Sequence, residues 1–509
     1  MNTSRLPLVL VALAAALGLG WRLAAADEWP TFFHPCLQYE SALAARTVWL
    51  AVAPHERTPD RAPWADATGT RHVVSPPLLP GLVAGCCALA GREVPWVSKL
   101  FNAAFWLAAA GCVLAAVVRQ TGSRWAAAVA FAWLFLTPFG VKVSRSFQPE
   151  SLLAFGLAAA VCHLSRPGRV PAWRPTLAAG AVCGAAAFVK PGVLFLPLLA
   201  GFAALLLPRS VPGSRARKAL HFAAFAALTV LPSLLYAAAV LRGHVGNKVI
   251  PGLLAEGWFY PALLESVRAA VGSPALLLGL FGAWVAARAG NLLPAGLFAG
   301  YLGYVAVFTF HCATHDYYHV PLLVLAAVGL GWAVAWAERR VRFGPRPGVA
   351  LALVVLGLAA YLGATRDPQL GPWRWTPAGR REAARLDERR ERAREVGGVV
   401  RELVRPGARV LAVTEHYGYP LEYDAWVPVC FWPTRADAPI MVRAGVLPSP
   451  FTADGYLGHL IADRGCEFAV VTDLAEYDGQ PELRAALARR GRLVRSSPGL
   501  LVFDLRPGR

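Results

Sequence analysis

Up to about residue 365, long apolar runs alternate with polar connectors; beyond it the runs become short and mixed. Runs of spanning length, or close to it, fall at about 6–24, 97–118, 125–141, 151–165, 175–189, 192–207, 219–241, 273–288, 292–310, 317–337 and 348–364. This pattern predicts an α-helical polytopic membrane protein with about 11 transmembrane helices. Several runs are short and require local bilayer thinning or burial among neighbours. The tail reads differently. "RREAARLDERRERAREVGGVVREL" (Arg380–Leu403) sets opposite charges at helical i,i+4 spacing and predicts a solvated helix. Strand-like "ARVLAVT", helix-like "YLGHLIADRG", strand-like "EFAVVTD", helix-like "PELRAALARRG" and a closing pair, "RLVRSS" and "GLLVFDL", follow. Strands alternating with helices predict a small C-terminal α/β domain. The expected division is 1–365 for the membrane domain and 366–509 for the linker helix and α/β domain.

Composition agrees with that pattern. Of 509 residues, 56% are hydrophobic and 16% charged, with mean hydropathy +0.46, too apolar for a soluble globular chain. The net charge of +19 raises nucleic acid as a partner, but its distribution argues against it. Residues 1–365 carry 28 Lys and Arg against 12 Asp and Glu, and residues 366–509 carry 22 against 19. The excess lies in the apolar part, where basic loops set orientation. No CxxC or zinc spacing occurs among the nine cysteines. Cys430 and Cys466 would pair if the tail is extracytoplasmic; two free thiols are the alternative.

Charge also decides how to read Ser75–Gly91, "SPPLLPGLVAGCCALAG". If this run does not span and the N-terminus is cytoplasmic, the inner loops hold fifteen basic residues and the short outer loops six. If it spans, every later loop inverts, against the positive-inside tendency. The expectation is therefore a re-entrant or interfacial segment. All acidic residues before 366 except Glu338 then lie outside, and so does the chemistry. Ala24–Ala26 resembles a signal-peptidase site, but an uncleaved first helix is preferred.

Four stretches on that outer side carry candidate chemistry. Asp27 and Glu28 end the first span and begin a loop of about seventy residues. They are either solvated surface carboxylates or a general base at a cavity mouth. In this loop His34–Leu50 has an apolar face and predicts an interfacial amphipathic helix. "VSRSFQPESLL" (Val143–Leu153) sets Arg145, Gln148 and Glu150 between two apolar runs, at depths where charge is costly. Arg145 is an anion ligand or an anchor, and Glu150 a functional acid or compensation for the helix dipole. "FVKPG" puts Lys190 in a tight hairpin, snorkelling or binding phosphate. "HCATHDYYHVPLL" gathers His311, His315, Asp316 and His319, an unconvincing metal set because a span boundary divides it. Tyr317 and Tyr318 read equally as interfacial anchors and as ligands.

Together with "FHPCLQYESALAAR", "SPPLLPGLVA" and the ending "RLVRSSPGLLVFDLRP", these motifs in this order resemble bacterial polytopic glycosyltransferases of family 39. That family lies in the GT-C superfamily with the protein O-mannosyltransferases and the lipid A aminoarabinose transferase. The resemblance implies a GT-C membrane fold and transfer of a sugar from a polyprenyl-phosphate carrier to an extracytoplasmic protein, lipid or glycan, with inversion. It implies Asp27 as base, with Glu28 adjacent, and Glu150 as a second acid at the cavity. Arg145, Lys190 and His315 would surround the carrier phosphate. Some relatives have a charged residue before the double proline where this chain has Ser75, so no metal ligand is assigned. No cofactor is required by this reading, and a divalent metal is left open. The rival class is a transporter or flippase of lipid-linked glycans, which internal repeats or paired broken helices would favour. Neither is visible in the sequence.

The loop charges predict a cytoplasmic N-terminus and an extracytoplasmic C-terminus in the inner membrane. Reporter fusions after Arg340 should read cytoplasmic and fusions at Arg509 should not; the reverse pattern would place the acidic stretches on the wrong side.

Overall fold

The computed structural model describes residues 5–23, 33–69, 72, 76–165, 172–207, 214–240, 250–340, 377–443 and 445–506. Asp27, Glu28, Ser75 and the apolar run 348–364 lie outside them. The helices begin with α1 (Leu6–Leu23), α2 (Pro35–Val52), α3 (Ala62–Thr68) and α4 (Leu78–Ala90). Then come α5 (Val97–Thr121), α6 (Arg124–Leu136), α7 (Pro138–Ser144), α8 (Glu150–Leu164), α9 (Trp173–Val189) and α10 (Phe195–Leu205). Next are α11 (Arg215–Val240), α12 (Phe259–Val271), α13 (Ser273–Arg288), α14 (Leu293–Val307), α15 (Thr309–Thr314) and α16 (Val320–Arg340). The tail holds α17 (Pro377–Leu403), α18 (Tyr419–Ala425), α19 (Asp437–Arg443), α20 (Ala453–Ala462), α21 (Leu474–Asp478) and α22 (Pro481–Arg490).

Packing divides the chain into two units, one of Met1–Glu28 with Trp96–Arg380, the other of Trp29–Pro95 with Arg381–Arg509. The first long loop thus groups with the tail and not with the helices that flank it in sequence.

The first unit is a multi-pass membrane bundle. Ten of the eleven predicted runs are helices, the eleventh being the one outside the described residues. Among the described residues four helices are individually long and apolar enough to cross, and two bent pairs raise that to six. One pair is α6 with α7, bent by 56° at Thr137–Pro138, where proline cannot donate its backbone N–H to continue the ladder. The other is α12 with α13, bent by 89° at Gly272, whose φ of 80° is strained for a side chain. The shorter helices α8, α10 and α14 pack among their neighbours: α8 on α5 and α9, α10 on α14. Between α13 and α16 the backbones touch. A Cβ at Gly282 would collide with the Gly329 carbonyl, so small residues set this approach.

The second unit is built on a five-stranded sheet of order β2-β1-β3-β5-β4, with β1 (Arg409–Val413), β2 (Val429–Phe431), β3 (Cys466–Val471), β4 (Arg492–Ser497) and β5 (Leu500–Asp504). β1 runs parallel to β2 and β3; β5 is antiparallel to β3 and β4. Side-chain alternation makes both sheet faces apolar. Leu411, Val413, Ala469 and Val471 meet Leu457, Leu460, Leu483 and Leu487 of α20 and α22. Val410, Ala412 and Val470 meet Val400 of α17 and Leu421 of α18 on the other face. Cys430 and Cys466 are two thiols in hydrogen-bond contact, not a disulfide. They lie on the strands either side of β1.

Charged residues join the first loop to the tail domain. Arg46 of α2 is buried and makes a bidentate pair with Glu93 at 2.7 and 3.0 Å. Its guanidinium lies 3.6 Å from the Trp426 ring centroid and 4.0 Å from that of Tyr423. Glu422 is fully buried; His72 meets its carboxylate at 2.8 Å and Trp64 Nε1 donates to it at 3.3 Å. Beside them, burial raises the Asp424 carboxyl to about 6 against the pull of Arg46, Arg394 and Arg390.

A folded-state value above the ordinary 3.8 means that the folded unit binds this proton more tightly than the unfolded chain. Asp424 therefore costs stability as pH rises from about 4 to about 6, amounting to roughly 2–3 kcal/mol above that window. Asp424→Asn should raise the thermal midpoint at pH 7 and flatten the slope between pH 4 and 6. A variant no more stable than wild type at pH 7 would contradict the burial cost.

Candidate active site

The apolar bundle of the first unit contains a concentrated set of charges and aromatic rings, and each is placed by local backbone chemistry. Glu150 is the first residue of α8, preceded by Pro149 at φ −80°. Lys190 ends α9 in an extended conformation, φ −142° and ψ 88°, as a residue before proline must. These two turns bring Lys190 Nζ to 3.1 Å from Glu150 Oε1. The Glu150 side chain is 4% exposed and that of Lys190 18%. Glu150 Oε2 is buried with no hydrogen-bond partner among the described residues.

The Lys190 ammonium also lies 3.9 Å from the ring centroid of Tyr318 and 4.6 Å from that of Tyr317. Electron-rich ring faces stabilise a partly desolvated cation by about 0.5–2 kcal/mol each. Tyr317 and Tyr318 thus lay their ring faces against the Lys190 ammonium. The imidazole of His315 packs against both tyrosines and stacks on His311 with centroids 5.7 Å apart. Its Nδ1 is 2.7 Å from Thr314 Oγ1. His319 is engaged by protein groups at both ring nitrogens. It is fully buried, Nδ1 meeting the Tyr301 hydroxyl at 2.6 Å and Nε2 the Cys312 carbonyl at 2.8 Å. Because a carbonyl only accepts, Nε2–H donates to Cys312 and Nδ1 accepts from the Tyr301 hydroxyl, so both ring nitrogens are engaged. No group of three or more His, Cys, Asp and Glu is placed to hold a metal among the described residues.

Of the residues singled out from sequence, the structure brings together Glu150, Lys190 and His315. Arg145 directly follows the last residue of α7 and is half-buried at the head of the same loop as Glu150. Asp27 and Glu28 fall outside the described residues. Sequence reasoning missed the support beneath the loop. Arg22 is fully buried, its Nε donating to Ser144 Oγ at 2.7 Å and Nη1 to the carbonyls of Gly18 and Phe135. Asn102 of α5, also buried, donates to the carbonyls of Ser146 and Gln148. The signal was present: Ser98, Lys99 and Asn102 are polar positions on one face of an otherwise apolar helix.

Comparison with known proteins follows from this geometry. A family model described as dolichyl-phosphate-mannose-protein mannosyltransferase matches residues 93–243, which contain Asn102, Arg145, Glu150 and Lys190. Two solved structures resemble the whole chain. ArnT from Cupriavidus metallidurans bound to undecaprenyl phosphate is 16% identical, with 98% of each chain covered and a TM-score of 0.57. The same protein in the apo state is 17% identical, covering 97% of this chain and 98% of its own, with a TM-score of 0.55. Comparison with curated proteins gives no match. The architecture is the GT-C membrane fold with a small C-terminal sheet. The resemblance to family 39 glycosyltransferases read from the motifs is borne out by both comparisons.

Removing one member of the buried pair strands the other. Lys190→Met leaves a carboxylate that is 4% exposed without its cation and should cost about 3–5 kcal/mol. Glu150→Gln should cost less, because Lys190 keeps two ring faces, and the double variant should recover most of the Lys190→Met loss. Thermal unfolding in detergent checks this; equal losses with no recovery would show that the two charges are not coupled.

Proposed function

We propose that this protein is an integral membrane glycosyltransferase that moves a sugar from a polyprenyl-phosphate carrier to an acceptor outside the cytoplasmic membrane, with inversion. The observation that carries the reading is the Glu150–Lys190 pair, flanked by Tyr317 and Tyr318 inside a bundle of GT-C fold. Such a bundle has no structural need for a buried ion pair, whose desolvation its mutual attraction barely offsets. The solved relative binds undecaprenyl phosphate, and we carry that class of ligand over to this chain.

In this reaction the acceptor oxygen forms a bond to the anomeric carbon as the bond from that carbon to the carrier phosphate breaks. The acceptor proton passes to a carboxylate, and the carrier leaves as a phosphate monoester. One displacement inverts the centre. Asp27 is the proposed base, with Glu28 beside it and Glu150 as the acid deeper in the bundle. Arg145, Lys190 and His315 are the proposed phosphate ligands, and fixed cations at a leaving phosphate favour the transition state over the ground state. Glu150 keeps Lys190 in place and keeps the site from holding an uncompensated positive charge before the donor arrives. The sugar and the acceptor are set by contacts beyond these groups.

Asp27→Asn should reduce transfer by about 10²–10⁴-fold while donor affinity changes little, because an amide of equal shape cannot take the proton. Transfer at saturating polyprenyl-phosphate sugar is compared with donor binding measured separately, in Asp27→Asn, Glu28→Gln and the double variant. Loss confined to Glu28→Gln would move the base by one residue, and wild-type rates in the double variant would remove the pair from the mechanism.

A further inference from the structure

Within "SRSFQPE", Ser144–Glu150, the five residues 145–149 between α7 and α8 are irregular backbone in a buried place. Ser144, Ser146, Phe147, Gln148 and Glu150 are buried, and the chain between α7 and α8 makes no regular ladder. Buried irregular backbone needs partners for its carbonyls. Arg22 secures the first end through Ser144 Oγ. At the second end one carboxamide serves two carbonyls, since Asn102 Nδ2 donates to Ser146 O at 2.5 Å and to Gln148 O at 3.1 Å. The orientation of this amide follows from its surroundings: the opposite flip would set its oxygen against two carbonyl oxygens. Asn102 Oδ1, on the other side, is buried with no hydrogen-bond partner among the described residues.

Two donors on a single nitrogen fix the separation of the two carbonyls and hence the course of the chain between them. Pro149 follows Gln148 at once with its φ restricted, and Glu150 follows Pro149. Of the backbone torsions between the Gln148 carbonyl and the Glu150 side chain, the ring fixes the φ of Pro149 and the first turn of α8 sets those of Glu150. The same two residues that Asn102 grips therefore determine where the carboxylate meets Lys190.

We infer that Asn102 is a positioning residue: by holding the Ser146 and Gln148 carbonyls it sets Glu150 against Lys190. The inference rests on the glycosyltransferase reading for its effect on rate, and on geometry alone for its effect on the loop. Asn102 is placed to act through Glu150 rather than on the substrate.

The test uses the full-length protein in detergent or nanodiscs, with Asn102→Ala and the near-isosteric Asn102→Asp, which lacks the donors and puts an anion against two carbonyls. Hydrogen exchange reports the loop directly. Amides from Ser146 to Leu153 should exchange at least about tenfold faster in both variants, while α16 is unchanged. Transfer from a polyprenyl-phosphate sugar reports the consequence. The turnover number should fall about tenfold or more with a smaller change in donor KM. Asn102→Gln, which keeps the two donors, should recover part of the rate. Unchanged exchange in a folded Asn102→Asp would overturn the clamp. Altered exchange with an unmoved turnover number would overturn its role in placing Glu150. If the wild type transfers no sugar from any carrier tested, the proposed function fails, and the exchange data still decide the clamp.

Discussion

A carboxylate and an ammonium 3.1 Å apart, in a bundle otherwise made of apolar helices, are the constraint around which the first unit is arranged. Neither charge is tolerable alone at that depth, so the two turns that deliver them must arrive together. Each turn depends on a proline, Pro149 before Glu150 and Pro191 after Lys190, and each proline makes an abrupt change of direction cheaper than a gradual one. The loop leading to Glu150 has no ladder of its own. It is held instead by side chains from helices far away in sequence, Arg22 from α1 and Asn102 from α5. Tyr317 and Tyr318, at the start of the last described span, complete the surroundings of the cation. Five distant parts of the chain thus contribute to one small polar region, and the packing of the bundle is what keeps them in register.

The second unit solves a related problem with different chemistry. Its sheet is covered on both faces, and its apolar clusters would be ordinary in any α/β protein. The junction with the first loop is not ordinary. Arg46, Glu93, Glu422, His72 and Asp424 are all charged or titratable, and they meet among Trp64, Tyr423 and Trp426. Planar guanidinium between rings, with a bidentate carboxylate at its edge, satisfies more of its donors than an ammonium could. Such an arrangement specifies one mate for the loop where a greasy patch would accept several, at the cost of the unfavourable ionisation at Asp424.

Much of this architecture was legible in the sequence because membrane spans and central strands are written as local patterns. The apolar runs gave ten helices at the expected places, and alternation in "ARVLAVT" and "EFAVVTD" gave β1 and β3. The three-residue β2 was not foreseen, since "VCF" is too short to show a period. Breaks were harder. The run 125–141 reads as one span, and only the bend at Pro138 divides it. At the site, Glu150 and Lys190 stood out as charges in apolar surroundings, but their pairing did not, because forty residues and a whole helical hairpin separate them. Asn102 and Arg22 were passed over for the opposite reason: each looks like a tolerated polar residue near a helix end until its partners are seen. The assignment of Trp29–Pro95 to the tail was invisible, since nothing local in either segment names the other.

That assignment has a consequence for how the protein is made. Trp64 and Glu422 are hydrogen-bonded across 358 residues of chain. A ribosome adding about 5–20 residues per second takes roughly 20–70 s to cover that distance, far longer than a hairpin or helix needs to form. Throughout that interval Arg46 and Trp64 have been synthesised, while Glu422, Tyr423 and Trp426 have not. The first loop must therefore persist in an unfinished state while the membrane helices are inserted one after another. Any factor that shields exposed aromatic surface on that side of the membrane would act on this segment before it acts on any other part of the second unit.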